Sequence, residues 1–340
     1  MSSQHSRQDD STEFRRGQSV TVRSLGEILA ALDAEAKLEG MPFMPEMAPF
    51  CGKTFRVHRR AERTCVESLG MRSMTNAVFL EGLRCDGAAH GGCERRCLFF
   101  WKEAWLKPAA ESAVGGVTGR DPRGTEEVVA ETASASELFS RQPPPSPSDA
   151  SGSGQTSHQL PTMKGDRFYC QSTELAAASG DLAPGRLRHF LHDMRIGEMS
   201  LARFAHLAWR ALLNRGSRLV IGRPFYEVSG EQKKTSSAGL DLRTGELVEV
   251  KSFAEIQATL DSQGRNRGLS FEPEMALHCG RRYRVAMPLR TIVVESTGKA
   301  VQLSDTVILE GLVCNGICAV NCPRANYFYW RDIWLKRVES

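Results

Sequence analysis

The chain has 340 residues, 41% hydrophobic and 25% charged, which suits packed domains and excludes full disorder. Lysine and arginine exceed aspartate and glutamate by only 44 − 40 = 4, so bulk charge alone does not argue for a nucleic-acid protein. No uncharged apolar stretch is long enough for a bilayer span, and the polar start from Met1 to Gly17 lacks the apolar core of an export signal. A cytoplasmic protein is expected, in which ten cysteines read as metal ligands before disulfides.

Taken in chain order, residues 1–16 read as a disordered tail. Val20-Thr21-Val22-Arg23 then alternates as a strand, and Glu27–Leu32 predicts a short helix. Phe55-Arg56-Val57, Val78-Phe79-Leu80 and Phe99-Phe100-Trp101 read as further short strands with glycine-rich turns between them. Trp101-Lys102-Glu103-Ala104-Trp105-Leu106-Lys107 predicts a strand, one 3₁₀ turn and a last short strand. Residues 109–165 are rich in Ser, Pro, Gly and Ala, with Pro143-Pro144-Pro145-Ser146-Pro147 among them, and read as a flexible linker. Residues 166–244 form a helical insert and connector. Leu187, Phe190, Leu191 and Met194 share one helical face after Pro184, Ile196-Gly197 breaks that helix, and Ser200 caps a second running to about Asn214.

The pattern then repeats. Gly245–Gly280 aligns without a gap on Gly17–Gly52 at an offset of 228, with 17 identities in 36 positions. After one net inserted residue the match resumes at 229: Leu80-Glu81-Gly82-Leu83 meets Leu309-Glu310-Gly311-Leu312, and the Trp101–Lys107 run meets Trp330–Lys336. Two homologous β-rich modules, 17–108 and 245–340, are therefore expected, each large enough for its own core. The Gly-x-x-Val-x-Val-Arg/Lys opening and the Cys-Gly-x-x-Phe/Tyr-Arg-Val run at Cys51 and Cys279 are similar to the SH3-like β subunit of nitrile hydratases over about two-thirds of each module. That resemblance implies two SH3-like small barrels. It does not imply the enzyme's chemistry, because the Cys-x-x-Cys-Ser-Cys motif of the catalytic partner subunit is absent. The whole chain also resembles a bacterial family of tandem cysteine-rich modules carrying Pro-Glu-Met…Cys-Gly…Leu-Glu-Gly…Trp-Leu-Lys, which implies no particular activity.

Alignment of the copies sorts the cysteines. Cys51/Cys279, Cys85/Cys314 and Cys93/Cys322 are shared, and each copy adds one more nearby, Cys97 or Cys318. Four thiols per copy is the donor count of a closed tetrahedral zinc site. The expected ligands are Cys51, Cys85, Cys93 and Cys97 in the first module and Cys279, Cys314, Cys318 and Cys322 in the second, with two zinc ions in all. Plain burial, disulfides or an iron–sulfur cluster are the alternatives, the last because Cys314-x3-Cys318-x3-Cys322 ends in Pro323. Cys65 and Cys170 are left over. His90 aligns with Ala319 and reads as a solvent-facing loop residue.

Met41, Met44 and Met47 and the four repeat tryptophans read as core rather than as a copper site or a peptide groove. Glu46/Glu274 and Glu81/Glu310 recur at matching places, where carboxylates bonding turn amides are expected. No phosphate loop, dinucleotide fingerprint, His-Glu-x-x-His or Gly-x-Ser-x-Gly is present. Arg56, Arg59, Arg60 and Arg63, and Arg281, Arg282, Arg284 and Arg290, are locally basic. Their modules are nearly neutral, however, with 13 basic against 11 acidic and 12 against 11 side chains.

A non-enzymatic adaptor is the leading expectation, with an enzyme subunit using the cysteine loops and a nucleic-acid binder as rivals. In the insert, Leu201, Phe204, Ala208, Ala211 and Leu212 form an apolar arc opposite Arg203, His206, Arg210 and Asn214. Residues 184–214 are the expected contact with another protein if the arc is not covered by its own chain. A peripheral membrane contact ranks last.

Overall fold

The computed structural model describes residues 13–109, 160–221, 228–316 and 321–338. The expected linker therefore lies almost wholly outside the described residues, as do Cys318 and Ala319. The described chain is mainly β, and none of its helices is long and apolar enough to cross a membrane.

The first repeat contains β1 (Ser19–Val22), helix α1 (Leu25–Ala30), β2 (Thr54–Arg60), β3 (Arg63–Val66), β4 (Gly70–Ser73), β5 (Ala77–Leu80), β6 (Trp101–Lys102) and β7 (Leu106–Pro108). Its main sheet runs β6-β5-β2-β1-β7, all antiparallel. Between the repeats stand α2 (Arg186–Arg195) and α3 (Leu201–Ile221). The second repeat contains β8 (Leu247–Val250), α4 (Phe253–Gln257), β9 (Arg282–Pro288), β10 (Thr291–Val293), β11 (Ala300–Gln302), β12 (Thr306–Val313), β13 (Tyr327–Arg331) and β14 (Leu335–Arg337), with sheet order β13-β12-β9-β8-β14.

The sequence offset survives as register. Val20 pairs with Phe55, and 228 residues later Val248 pairs with Tyr283. The β2–β5 ladder slips between Val57 and Arg59, and β9–β12 slips at the corresponding Val285 and Met287. Each short helix opens with a reciprocal capping box, Ser24 with Glu27 and Ser252 with Glu255, satisfying two of the backbone amides a helix start leaves unpaired. Both sheets close as the tryptophan motif predicts, with single 3₁₀ turns at Glu103–Trp105 and Asp332–Trp334 before the last strand. Trp101, Trp105, Trp330 and Trp334 are fully buried. Phe43 and Phe271 each meet their pair of tryptophans edge-on, the geometry that ring quadrupoles favour. Met41, Met44 and Met47 are core, as expected.

The outer boundaries shift. Phe14, read as tail, is buried, and its amide bonds Glu103 Oε1 at 3.1 Å. Residues 160–181, read as linker and the start of the insert, hold no α-helix. Leu160 and Leu175 join the first core, and Gly180–Asp181 adds a short strand to the β3–β4 hairpin. Helical periodicity starts only at Arg186, after Pro184. The second helix starts on the Ser200 cap, with the Arg203 amide to Ser200 Oγ at 3.2 Å, and runs beyond the expected end to Ile221. Of its arc, Phe204 packs on Phe190 at 6.2 Å while Leu201 and Leu212 stay more than half exposed, as does Trp209 beside them; the buried Leu207 lies outside the arc, on the side of Arg203.

Candidate functional site: two cysteine centres across the repeats

The segment between β5 and β6 carries three cysteines in a tight turn. The amides of His90 and Gly92 bond Gly87 O at 2.9 and 3.1 Å, and the Cys85 amide bonds Cys97 O at 2.8 Å. Gly87 has φ +71°, and a Cβ there would lie 2.0 Å from Cys93 O. Gly316, its counterpart 229 residues on, has φ +70° and would meet Cys322 N and O at 2.5 Å. Glycine at these two points lets the turn fold back onto the cysteine backbone.

Cys85, Cys93, Cys97 and Cys170 line one cavity of about 30 Å³, with Met44, Phe99 and Phe100 in its apolar wall. Cys51 does not line it. Its amide ends the 3₁₀ turn Pro45–Phe50 on Ala48 O at 3.1 Å, its side chain packs on the core, and burial pushes the thiol up to about 11. Cys279 repeats that role after Met275–His278. The position recurs because it ends the turn that launches the long strand.

In the second centre the sulfurs of Cys65 and Cys322 lie 3.5 Å apart, across 257 residues of chain, and Cys65 is close enough to Cys314 to add a small upward push to that thiol. Cys65 comes from β3 of the first repeat. Its counterpart at offset 228 is Val293 on β10, which lines the first cavity. The two hairpins therefore reach across reciprocally. The Cys65 amide donates to Cys322 Sγ at 3.3 Å, and the Val293 amide donates to Cys93 Sγ at 3.3 Å. Arg324 Nη1 bonds Cys65 O at 2.6 Å, and its counterpart Arg95 bonds Val293 O at 3.0 Å. Between them Glu295 Oε1 accepts the Glu67 amide at 2.8 Å, and Glu67 Oε2 accepts the Ser296 amide at 3.1 Å.

Burial pushes the Cys85 thiol well above its ordinary value and Cys170 up to about 11, with the amides of Gly87 and Thr173 acting the other way. Cys314 rises to about 12, through burial and then the nearby Glu274 carboxylate. Cys322 is lowered, first by its hydrogen bond with Cys65, with Arg324 assisting. Thiols that burial keeps protonated, backed by amide donors to sulfur, are a donor set for a thiophilic cation, whose own charge reverses the cost of ionising them. Glu46 Oε2 and its counterpart Glu274 Oε1 are buried without a hydrogen-bond partner. Among the described residues, no three His, Cys, Asp or Glu side chains converge as the ligands of one ion.

His90, expected to face solvent, is buried. Its Nδ1 bonds Glu46 Oε1 at 2.6 Å and its Nε2 bonds Tyr169 O at 2.9 Å. Glu46 and Glu274 also hold turn amides, Ala89 and Asn315, as expected of them. The first arginine cluster is largely turned to acidic partners of the insert and sheet: Arg59 to Glu198, Arg60 to Glu62 and Glu103, Arg63 to Asp193. No protein-family model matches the chain, and no curated protein or solved structure does either.

Proposed function

We propose that the chain is a non-enzymatic scaffold of two SH3-like repeats stapled together by two zinc ions, with the basic amphipathic helices as its partner-binding face. One ion takes Cys85, Cys93, Cys97 and Cys170. The other takes Cys65, Cys314 and Cys322, with Cys318 supplying the fourth thiol from outside the described residues. The observation that carries this reading is the reciprocity of the hairpins: each brings an amide to the other repeat's shared cysteine. Two sulfurs bound at about 2.3 Å to one tetrahedral ion sit about 3.8 Å apart, against about 2.05 Å in a disulfide. The 3.5 Å between Cys65 and Cys322 supports co-ligation. Ions that close each centre fully suit a structural role, since catalytic zinc keeps an open position.

The exposed Leu201, Trp209 and Leu212 support the partner face. Residues 181–225 carry eight basic and three acidic side chains, so the partner expected is an acidic protein surface with an apolar strip. Cross-linking of the full chain in its host should place partner contacts within residues 184–214, and Leu212→Asp should remove them while the metal content stays unchanged. Contacts elsewhere that ignore Leu212→Asp would overturn the partner face.

A further inference from the structure

A second cavity, of about 220 Å³, opens on the seam between the repeats. Its walls pair equivalent positions of the two copies, Gly82 with Gly311 and Leu98 with Tyr327, and α3 adds Arg203. Four guanidinium groups line it, Arg16, Arg59, Arg84 and Arg203, together with His58. Glu198 is the one carboxylate among the described lining residues, and it is engaged by Arg59 Nε at 3.2 Å and the Arg60 amide at 2.9 Å. Three positive charges remain in excess.

Three of these cations, Arg59, Arg84 and Arg203, are held in place by bonds to other groups. Arg84 donates to Arg96 O at 2.7 Å and Ala325 O at 2.9 Å, and its guanidinium lies over the Tyr327 ring at 4.4 Å. Arg203 is anchored on Asn315 O through Nη2, while its Nε is buried with no partner. We propose that this seam cavity binds a small ligand bearing a doubly charged oxyanion, a phosphate or a pair of carboxylates, between the side chains of Arg16, Arg59, Arg84 and Arg203. Planar guanidinium forks match both oxyanions, and a cradle already assembled spends little on ordering. Leu80, Leu98 and Val313 make an apolar wall, so the ligand carries a short apolar body. The volume, below that of drug-sized pockets, keeps the ligand small.

The positive field shows in its neighbours. His58 is pushed down to about 4, by burial and then by Arg59, Arg16 and Arg84. Arg203 is lowered by burial and then by Arg59. Cations that weaken one another are what a bound anion relieves.

The test is calorimetric titration of the metal-replete full chain with inorganic phosphate, pyrophosphate and citrate, in sodium chloride of matched ionic strength. At least one probe should bind saturably at one site, and Arg203→Gln or Arg16→Gln should weaken it at least tenfold. Citrate alone would assign the head as carboxylate, and phosphate or pyrophosphate alone would assign it as phosphate. In the unaltered protein the bound probe should raise the His58 pKa, read by imidazole NMR shifts. No saturable binding of any probe, unchanged affinity in both folded variants, or binding that leaves His58 unmoved would overturn the proposal. Cys314, assigned above to the second zinc ion, also lines the cavity, so zinc is measured before and after each titration. Saturable binding with zinc unchanged keeps this outcome separate from the stapled-scaffold reading.

Discussion

Replacing Arg324 by Met tests how the repeats are joined. Its Nη2 bonds Glu295 Oε2 at 2.7 Å, with 6% and 3% of the two side chains exposed. Glu295 keeps Ser172 Oγ at 2.9 Å and the Glu67 amide at 2.8 Å, and Arg95 lies 3.8 Å away. Removing one partner of a buried pair costs about 3–5 kcal/mol, because the other charge is left uncompensated. Arg95 stays close enough to cushion it, so Arg324→Met should cost about 3 kcal/mol. Adding Glu295→Gln removes the stranded charge and should restore all but about 1 kcal/mol. Urea unfolding in reducing, zinc-containing buffer at neutral pH reads both values, with metal content checked in each variant. Burial works to raise the Glu295 carboxyl, but Arg324, the Glu67 amide and Arg95 together hold it below its ordinary value of 4.5. The pair's stability is therefore complete above that ordinary value and is lost as pH falls through the folded one. Arg324→Met should lessen that acid loss. A single variant costing under about 1 kcal/mol, or a double variant no better than the single, would refute the reasoning.

His58 runs the opposite way from a paired histidine. Its folded value, about 4, lies below the ordinary 6.5, so stability should be full above 6.5 and fall by about 1.4 kcal/mol per pH unit toward 4, less whatever solvent screening removes; His58→Gln should flatten that stretch of a pH–denaturation curve. Gly87→Ala should cost about 3 kcal/mol or more, since the new Cβ meets Cys93 O at 2.0 Å at φ +71°. Gly17→Ala, at φ +81° with nothing within 4 Å, should cost only about 1 kcal/mol, and equal losses in thermal melts would contradict the close-approach argument. Phe271→Ala should cost about 3–5 kcal/mol in the same melts, because a buried ring that meets two tryptophans edge-on leaves a cavity.

The main-sheet strands were legible because a duplicated pattern states each of them twice: Val20/Val248 and Trp101/Trp330 carry the register, and Ser24…Glu27 and Ser252…Glu255 carry the helix starts, whereas the β3–β4 and β10–β11 hairpins were not read from the sequence. Those are local signals. The pairing of Cys65 with Cys322 is not local, since 257 residues separate them, and no periodicity spans that gap. A trace of it was present in the leftovers: two unmatched cysteines, two centres, and Val293 standing where Cys65 has no partner. Shared position drew Cys51 and Cys279 into the expected ligand sets, whereas a turn end explains their recurrence as well. His90 was misread because its aligned residue, Ala319, carries no polar information. The ion pairs of the arginine run were not legible because charge counts do not show direction, and two of the acids that claim it, Asp193 and Glu198, lie far along the chain on the insert.

The stapled scaffold is tested most directly by metal analysis of the reduced full chain and of four single variants, with iron measured beside zinc. The unaltered protein should carry one zinc per centre. Cys170→Ser and Cys65→Ser should each lose one equivalent, and Cys51→Ser and Cys279→Ser should lose none. Should a variant fail to fold, alkylation mapping of the unaltered protein gives the same answer: a chelator speeds the reaction of Cys170 and Cys65, whereas it leaves the slow reaction of the core-packed Cys51 and Cys279 unchanged. Loss of an equivalent in Cys51→Ser with Cys170→Ser left intact would contradict the ligand sets, and a reduced protein free of zinc and iron would contradict the staples themselves.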